Sequence, residues 1–259
     1  MKRRDFLATS LLGATALTKV ARGQAAASPA REYYQLRKYK LVSGPQTALA
    51  EAYFADALIP ALRRLGMGPV GAFRLDIGPE TPTYYLLIPG SPVEELVNVD
   101  FALAQDEAFM KIAQPFWSAP ATAPPFERIE STLLAAFAGW PKVTPPAKGK
   151  RIFQMRSYES PSQRDHLLKV EMFHKAEFEI FKQVGFRPVF FGDALVGPRL
   201  PNLTYMLSFT DMNELNTLWD GFKTNPEWKR LSTSSRYGFE AILNNVSNLI
   251  LSPLSMSQI

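Results

Sequence analysis

The side chains best suited to acid/base chemistry are His174 and Glu177, which are spaced i and i+3 in a segment with helical periodicity. A histidine next to a carboxylate is the usual arrangement of a general base. Phe181 follows one turn later on the same face of the predicted helix. We therefore predict a candidate pocket lined by His174, Glu177 and Phe181, while the catalytic residues, if there are any, stay unknown.

Three roles for His174 remain open from the sequence. It could be a core histidine bonded to Glu177, since buried polar groups are normally paired. It could line a pocket as a general base, or it could bind haem or a metal. His166 is the only other histidine, the chain has no cysteine, and a spacing of eight residues is not that of a metal site. We predict no metal site.

The candidate residues belong to a sequence that repeats with an offset of 119 residues. Residues 35–39 (Gln-Leu-Arg-Lys-Tyr) recur as residues 154–158 (Gln-Met-Arg-Ser-Tyr), and further matches continue over some 75 residues at the same spacing. A constant spacing indicates two copies of one folding unit. The first copy has Ala55 and Leu58 where the second has His174 and Glu177. A polar pocket is therefore predicted in the second copy alone.

Each copy is predicted to have the element order β-α-β-β-α-β. The first copy, residues 31–138, has a strand at 33–41, a helix at 47–65, strands at 70–75 and 83–88, a helix at 93–117 and a strand at 128–137. The second copy, residues 151–252, has a strand at 152–158, a helix at 163–184, strands at 189–194 and 203–210, a helix at 213–231 and a strand within 246–251. Residues 139–150 are predicted to be a proline-rich linker.

This element order is that of the ferredoxin-like unit, whose two helices cover one face of the sheet. The other face needs a partner, and the second copy supplies it. The predicted fold class is α+β, with tandem ferredoxin-like units forming an intrachain dimeric α/β barrel. Because one chain completes the barrel, we predict a monomeric pseudo-dimer, and a higher oligomer remains possible.

A second group of candidates is the pair of repeated motifs that contain Arg37 with Tyr39 and Arg156 with Tyr158. Alternation along a strand places each arginine and tyrosine on one face. If that face looks into the barrel, each guanidinium is buried and needs a carboxylate, with Glu130 a candidate for one of them. Our interpretation is a buried polar layer of structural importance, and a ligand-binding role is the alternative.

The opening strands, residues 34–39 and 153–158, resemble the Leu-Arg-x-Tyr strand of NIPSNAP-family domains, and residues 68–73 and 196–205 resemble that family's middle strands. The resemblance covers most of residues 32–251, in the tandem form seen in exported bacterial members. It implies a dimeric α/β-barrel fold and no established reaction. Relatives by fold include cofactor-free monooxygenases, haem-degrading enzymes and haem peroxidases, an analogy that is only associational.

Residues 1–27 have the three parts of an export signal. Lys2-Arg3-Arg4 precedes an apolar segment around residues 11–17, and Ala25-Ala26-Ala27 suits a signal peptidase. The apolar segment is far shorter than the roughly 20 residues of a membrane span. We predict a cleaved twin-arginine signal peptide, with the Sec route as the alternative because Ala8 stands where a lysine is common, and no stable membrane span afterwards. The protein would then be exported from a bacterial cell to the periplasm or beyond.

The signal also changes the meaning of the charge, because it carries a net +4 of the chain's formal +5. The remainder has no basic stripe interleaved with aromatic residues, so we predict no nucleic-acid partner. No nucleotide-binding, α/β-hydrolase or zincin motif is present. The sequence predicts a small-ligand binding or structural module. The alternative is an oxidoreductase, either a cofactor-free monooxygenase or a haem-binding enzyme, with a pocket in the second unit; no cofactor is required by the sequence, and haem is possible.

Overall fold

Eight strands close a single antiparallel barrel in the computed structural model, which describes residues 31–238 and 241–259. The strands are β1 (Tyr33–Lys40), β2 (Gly71–Ile77), β3 (Thr83–Gly90), β4 (Arg128–Ala136), β5 (Ile152–Glu159), β6 (Arg187–Val196), β7 (Asn202–Phe209) and β8 (Asn245–Pro253). Their order around the barrel is β1-β3-β2-β8-β5-β7-β6-β4. The predicted signal, residues 1–27, lies outside the described residues.

The two halves of the sequence contribute four consecutive strands each. β4, β1, β3 and β2 are neighbours, as are β8, β5, β7 and β6, and the halves join at the pairs β2–β8 and β4–β6. Since both joints are hydrogen-bonded ladders, the barrel has no free sheet edge. The predicted α+β fold with a barrel closed within one chain is confirmed.

The barrel interior is a core of large apolar side chains contributed by both halves. Phe73 and Phe153 meet there edge to face, with ring centroids 4.9 Å apart, and Tyr34 meets Phe190 in the same way at 5.3 Å. Ile259 is buried in the same core and occupies one end of the barrel. Because side chains alternate along a strand, this inner row forces the intervening residues of β1 and β5 outward.

Nine helical segments pack on the outside of the barrel among the residues described. They are α1 (Pro45–Ala52), α2 (Ile59–Arg64), α3 (Val93–Val97), α4 (Val99–Ala104), α5 (Glu107–Trp117), α6 (Gln163–Met172), α7 (Phe178–Val184), α8 (Met212–Thr224) and α9 (Pro226–Ser232). A π-helical segment, Tyr53–Leu58, joins α1 to α2, and another, Phe173–Glu177, joins α6 to α7. Each half therefore has a long helix with a π-helical middle.

The helices predicted at 93–117 and 213–231 are broken in the structure. Asp106 caps α5 by accepting a hydrogen bond from the Phe109 N–H at 2.9 Å, so the chain starts a new helix there. Asn225 caps α9 in the same way, and Pro226 occupies its first turn. Strong capping signals therefore divide segments whose hydrophobic periodicity is continuous.

Two further cores lie between the helices and the outer faces of the barrel, one for each half. In the first, Phe54, Leu58 and Leu62 of the long helix are fully buried. In the second, Phe173 and Phe181 take the corresponding place. Each such side chain contributes roughly 1.5–3 kcal/mol when buried, so these layers hold the helices at fixed positions over the sheet.

The proline-rich segment between the halves is attached to the barrel. The Thr144 N–H donates to the Val189 carbonyl at 2.8 Å, and the Val143 N–H donates to the Glu32 carboxylate at 2.8 Å. These bonds hold residues 143 and 144 against β6 and against the segment that precedes β1. No helix within the described ranges is both long enough and apolar enough to cross a membrane.

Candidate functional site

The structure places His174 and Glu177 on different sides of their helix. His174 is exposed, whereas Glu177 is buried against the sheet with 1% of its surface accessible. The two residues span the π-helical segment Phe173–Glu177. Its wider i→i+5 turns break the 3.6-residue period, so the prediction that both side chains share one face was wrong. Phe181 is buried in the outer core near Glu177.

Both ring nitrogens of His174 are bound to backbone groups. Nδ1 donates to the Val170 carbonyl at 2.8 Å, and Nε2 accepts a hydrogen bond from the Gly139 N–H at 3.1 Å. The ring also stacks on Phe137 with centroids 5.2 Å apart. His174 thus joins its helix to the segment after β4. It lies at the edge of a surface cavity of about 410 Å³ rather than between helix and sheet.

Glu177 forms a buried ion pair with Lys169, which lies eight residues earlier, in α6. The ammonium of Lys169 also lies 4.6 Å from the ring centroid of Phe173 and 5.2 Å from that of Tyr158. Burial raises the pKa of Glu177, and the neighbouring Lys169 opposes that rise. The equivalent residues of the first half are Ala50 and Leu58, both fully buried. The second half therefore replaces an apolar pair by a charged one.

The two repeated arginines lie on the outer face of the sheet, under the helices, and not inside the barrel. Arg37 pairs with Asp100, whose Oδ1 is 2.9 Å from the guanidinium. Glu130, the predicted partner, instead lies 3.7 Å from the Lys38 ammonium. Because Leu36 occupies the barrel interior, strand alternation sends Arg37 outward, which explains the wrong choice of carboxylate.

Arg156 has a different environment from Arg37. Its guanidinium carbon lies 4.3 Å from the centroid of the Trp219 ring, and its Nε donates to the Tyr158 hydroxyl at 3.2 Å. Within the part of the chain that the structure describes, it forms no ion pair with a carboxylate. The 119-residue offset maps Asp100 onto Trp219. The position that neutralises the first arginine therefore holds an indole in the second half.

Tyr158 and Tyr205 extend this polar group towards the core. Their hydroxyls are 2.8 Å apart, and both rings are buried. Burial raises the pKa of Tyr205 well above its ordinary value, so its hydroxyl stays protonated. Tyr39, the first-half counterpart of Tyr158, meets the ring of Phe54 at 5.0 Å between centroids and lies against the guanidinium of Arg37. The predicted buried polar layer is therefore built differently in the two halves.

A cavity of about 400 Å³ opens beside Arg156, and we call it the Arg156 pocket. Aromatic rings and amide side chains make up most of its wall, with one lysine. The residues that line it are Gln154, Arg156, Tyr158, Asn216, Trp219, Phe222, Lys223, Trp228 and Asn248.

Gln154 fixes two sides of the Arg156 pocket. Its side-chain carbonyl accepts a hydrogen bond from the Trp219 indole at 2.7 Å, and its amide donates to Asn248 at 3.1 Å. Gln154 is itself 5% exposed, so this bridge is held by the surrounding core. A site whose walls are bonded to one another loses less freedom when a ligand binds.

The sequence signals identified Arg156 and Tyr158 but missed Lys169, Trp219 and Asn248. The signal that could have found two of them was the repeat offset, which pairs Asp100 with Trp219 and Ala50 with Lys169. Comparing every charged or aromatic residue with its counterpart would have shown both replacements. The last strands of the two halves are related by an offset shorter than 119 residues, so Asn248 could not be matched in this way.

A third cavity, of about 460 Å³, lies at the end of the barrel opposite Ile259. Its charged groups are paired with each other. Arg199 lies 3.3 Å from Glu159, and the equivalent pair of the first half, Lys40 and Glu80, lies 3.5 Å apart with the signs reversed. Because its charges are balanced, this cavity should attract an ionic ligand less strongly than the Arg156 pocket does.

Comparisons with known proteins agree with this architecture. Residues 153–258, in the second half of the chain, match the profile of the NIPSNAP family. A candidate monooxygenase from Fusobacterium nucleatum is similar over 87% of this chain and 94% of its own, with a TM-score of 0.57 and 9% identity. A candidate monooxygenase from Lactobacillus acidophilus is similar over 86% of this chain and 94% of its own, with a TM-score of 0.55 and 10% identity.

A NIPSNAP-like domain protein from Burkholderia xenovorans is similar over 43% of this chain and 92% of its own, with 19% identity and a TM-score of 0.39. No curated protein has a significantly similar sequence. At such low identities the similar structures establish the fold alone. What the protein binds or does must be argued from its own side chains.

Proposed function

We propose that this protein binds a small molecule in the Arg156 pocket of its second half. The observation that carries the proposal is the difference between the two repeated arginines. Arg37 is neutralised by Asp100, whereas Arg156 lies against Trp219 beside a cavity. The same scaffold therefore contains one closed and one open version of the same position.

Electrostatics supports a ligand at the open position. Desolvation disfavours the charged form of the half-buried guanidinium of Arg156, which forms no ion pair with a described carboxylate and is favoured by Glu177 only at longer range. The cation–π contact with Trp219 offsets part of that cost, by about 0.5–2 kcal/mol. A ligand that pairs with the free nitrogens of Arg156 would offset more. A purely structural layer would have no need of an adjoining cavity of about 400 Å³.

Two further elements of the proposal concern origin and location. The two halves are two copies of one ferredoxin-like unit, an interpretation supported by the 119-residue offset and by the matching strand orders. The protein is exported folded by the twin-arginine route, as the pattern in residues 1–27 indicates. Fractionation of the native host, with the mature N-terminus read by mass spectrometry, tests this part.

A thermal-shift screen of chemically diverse small molecules tests the binding function. Ligands of the pocket should raise the melting temperature of the wild type and of Arg37→Gln but not of Arg156→Gln. Arg37→Gln is the matched control because it removes the equivalent guanidinium from the closed half. Ligands that stabilise all three proteins equally, or a screen without any ligand, would contradict the proposal.

The oxidoreductase alternative has less support from the geometry. His174 has no free ring nitrogen, and Glu177 is held by Lys169 in a buried ion pair. Neither residue lines the Arg156 pocket, and His166, the remaining histidine, is bonded to Asp193 at 2.7 Å. An absorption spectrum of the protein from its native host decides on haem, since a Soret band would favour the alternative.

A further inference from the structure

The guanidinium of Arg156 has one edge and one face already occupied. Nε donates to the Tyr158 hydroxyl, and the Trp219 ring covers the face. The two terminal nitrogens form no hydrogen bond to any described residue, and the side chain lines the pocket. A planar pair of N–H donors matches the two oxygens of a carboxylate.

The wall of the pocket favours a flat, apolar body for the ligand. Phe222 and Trp228 lie against each other with ring centroids 4.4 Å apart, and Trp219 lies 5.4 Å from Phe222. Aromatic rings prefer offset or edge-to-face neighbours, and a planar ring can form both contacts with these side chains. An aliphatic ligand of equal volume would gain burial but not these ring contacts.

The charge at the rim of the pocket has the same sign as that of Arg156. Lys223 is the second charged residue that lines the pocket, and the lining includes no carboxylate among the residues described. Lys223 lies in an ion pair with Asp220 at 3.3 Å, but both side chains are largely exposed, so this pair is weak. A cationic pocket attracts anions and disfavours cations.

We infer that the ligand is a planar aromatic compound that carries one carboxylate, bound by Arg156 and stacked among Trp219, Phe222 and Trp228. Asn216 and Asn248 lie in the wall as amide partners for a further polar substituent on the ring. This inference rests on the proposed function and adds the charge and the shape of the ligand to it.

Calorimetric titration with three matched probes tests the inference: 2-naphthoate, 2-naphthamide and cyclohexanecarboxylate. The 2-naphthoate probe should bind at least about 10-fold more tightly than 2-naphthamide, since a hydrogen bond between two ionic groups at the half-buried Arg156 is replaced by one to a neutral group. It should also bind more tightly than cyclohexanecarboxylate, which has the charge but no aromatic ring.

A charge variant within the pocket provides the second test. Asn216→Asp places a carboxylate in the wall with almost no change of volume, so it should weaken 2-naphthoate binding about 10-fold and leave 2-naphthamide unaffected. Asn213→Asp is the matched control, because Asn213 is exposed on the same helix one turn away and does not line the pocket. An equal effect of both substitutions would overturn the inference.

The outcomes separate the inference from the proposed function. If 2-naphthamide binds as tightly as 2-naphthoate, the inferred charge is wrong while small-molecule binding stands. If none of the three probes binds but the screen yields an Arg156-dependent ligand of another kind, the inferred class is wrong. If the screen also yields none, both fail.

Discussion

The indole of Trp219 covers the guanidinium of Arg156 at the position where Asp100 neutralises Arg37 in the first half. One replacement thus converts an ion pair into a cation–π contact and leaves a charge facing a cavity. The adjoining helix adds a second difference, since Lys169 and Glu177 stand where the first half has Ala50 and Leu58. The polar character of the second half is therefore concentrated under two helices.

The Lys169–Glu177 pair should behave as a coupled unit in stability measurements. Glu177→Leu takes the carboxylate away from a buried ammonium, and we expect a loss of roughly 3–5 kcal/mol of unfolding free energy. A Glu177 that lined a functional cavity would instead tolerate this substitution, because leucine restores the apolar stripe of the first half. Urea denaturation of the variant measures the loss.

The double variant Lys169→Ala/Glu177→Leu is the control, because it reproduces the pair found in the first half. It should recover most of the stability lost in Glu177→Leu, and the cycle should show a strong coupling between the two sites. Additive losses would mean that the two charges are stabilised independently of each other.

His174→Ala should affect stability but not ligand binding. The change removes the hydrogen bonds to Val170 and Gly139 and the contact with Phe137, for a loss of about 1–2 kcal/mol. Ligands found in the screen should keep their affinity, because His174 does not line the Arg156 pocket. Denaturation and titration of the same preparation check both parts. A loss of ligand binding without a loss of stability would mean that His174 contributes to the binding site.

Glu214 should give the protein a measurable acid sensitivity. Hydrogen bonds from Arg187, at 2.9 Å, and from Thr210 lower its pKa to about 2 from the ordinary 4.5. The unfolded chain therefore binds the proton first as the pH falls, and this contribution to stability is lost between about pH 4.5 and 2. The stability difference between the wild type and Glu214→Gln should be largest above pH 5 and shrink on acidification.

Denaturation curves recorded at several pH values test this prediction. The exposed Glu179, whose carboxylate accepts a hydrogen bond from Gln183 at 3.5 Å, supplies the control variant Glu179→Gln. That substitution should shift stability little, because the side chain of Glu179 is exposed. A Glu214→Gln difference that is constant with pH would contradict the assignment.

Either half of the barrel should be unable to remain a stable monomer alone. Residues 31–138 end in the unpaired edges of β2 and β4, and they expose the inner apolar row that contains Phe73. Exposed strand edges and apolar faces promote association. Light scattering on this fragment should show a dimer or an aggregate, whereas the full chain is expected to be monomeric. A soluble, folded, monomeric half would count against this view of the barrel.

Much of the fold could be predicted because the repeat constrains every element twice. The two Gln-x-Arg-x-Tyr strands, the two long helices and the closure of the barrel follow from one offset and from period-2 and period-3.6 patterns. The breaks at Asp106 and Asn225 were missed because caps compete with a continuous periodicity. The direction of Arg37 was missed because both faces of a barrel strand are covered, so periodicity does not say which face is inner.

The site was harder to predict than the fold. The separation of His174 from Glu177 depends on a π-helical segment, and no residue pattern in Phe173–Glu177 announces it. The partnership of Glu177 with Lys169 was missed because the two residues lie eight positions apart, beyond the i+3 and i+4 spacings of ordinary helical ion pairs. A tryptophan in a helix is normally a core residue, and only the repeat counterpart of Trp219, Asp100, marks its position as unusual.

The two ladders that join the halves, β2–β8 and β4–β6, lie within a single polypeptide. In a barrel assembled from two identical chains, every substitution appears on both sides of the two-fold axis. In a single chain a substitution appears in one half only, so a change that lowers stability occurs once and not twice. Here one half retains an inert, neutralised arrangement that supports the barrel, while the other is free to hold an ion pair and an open guanidinium. The asymmetry of this protein is one that no homodimer of a single unit can encode.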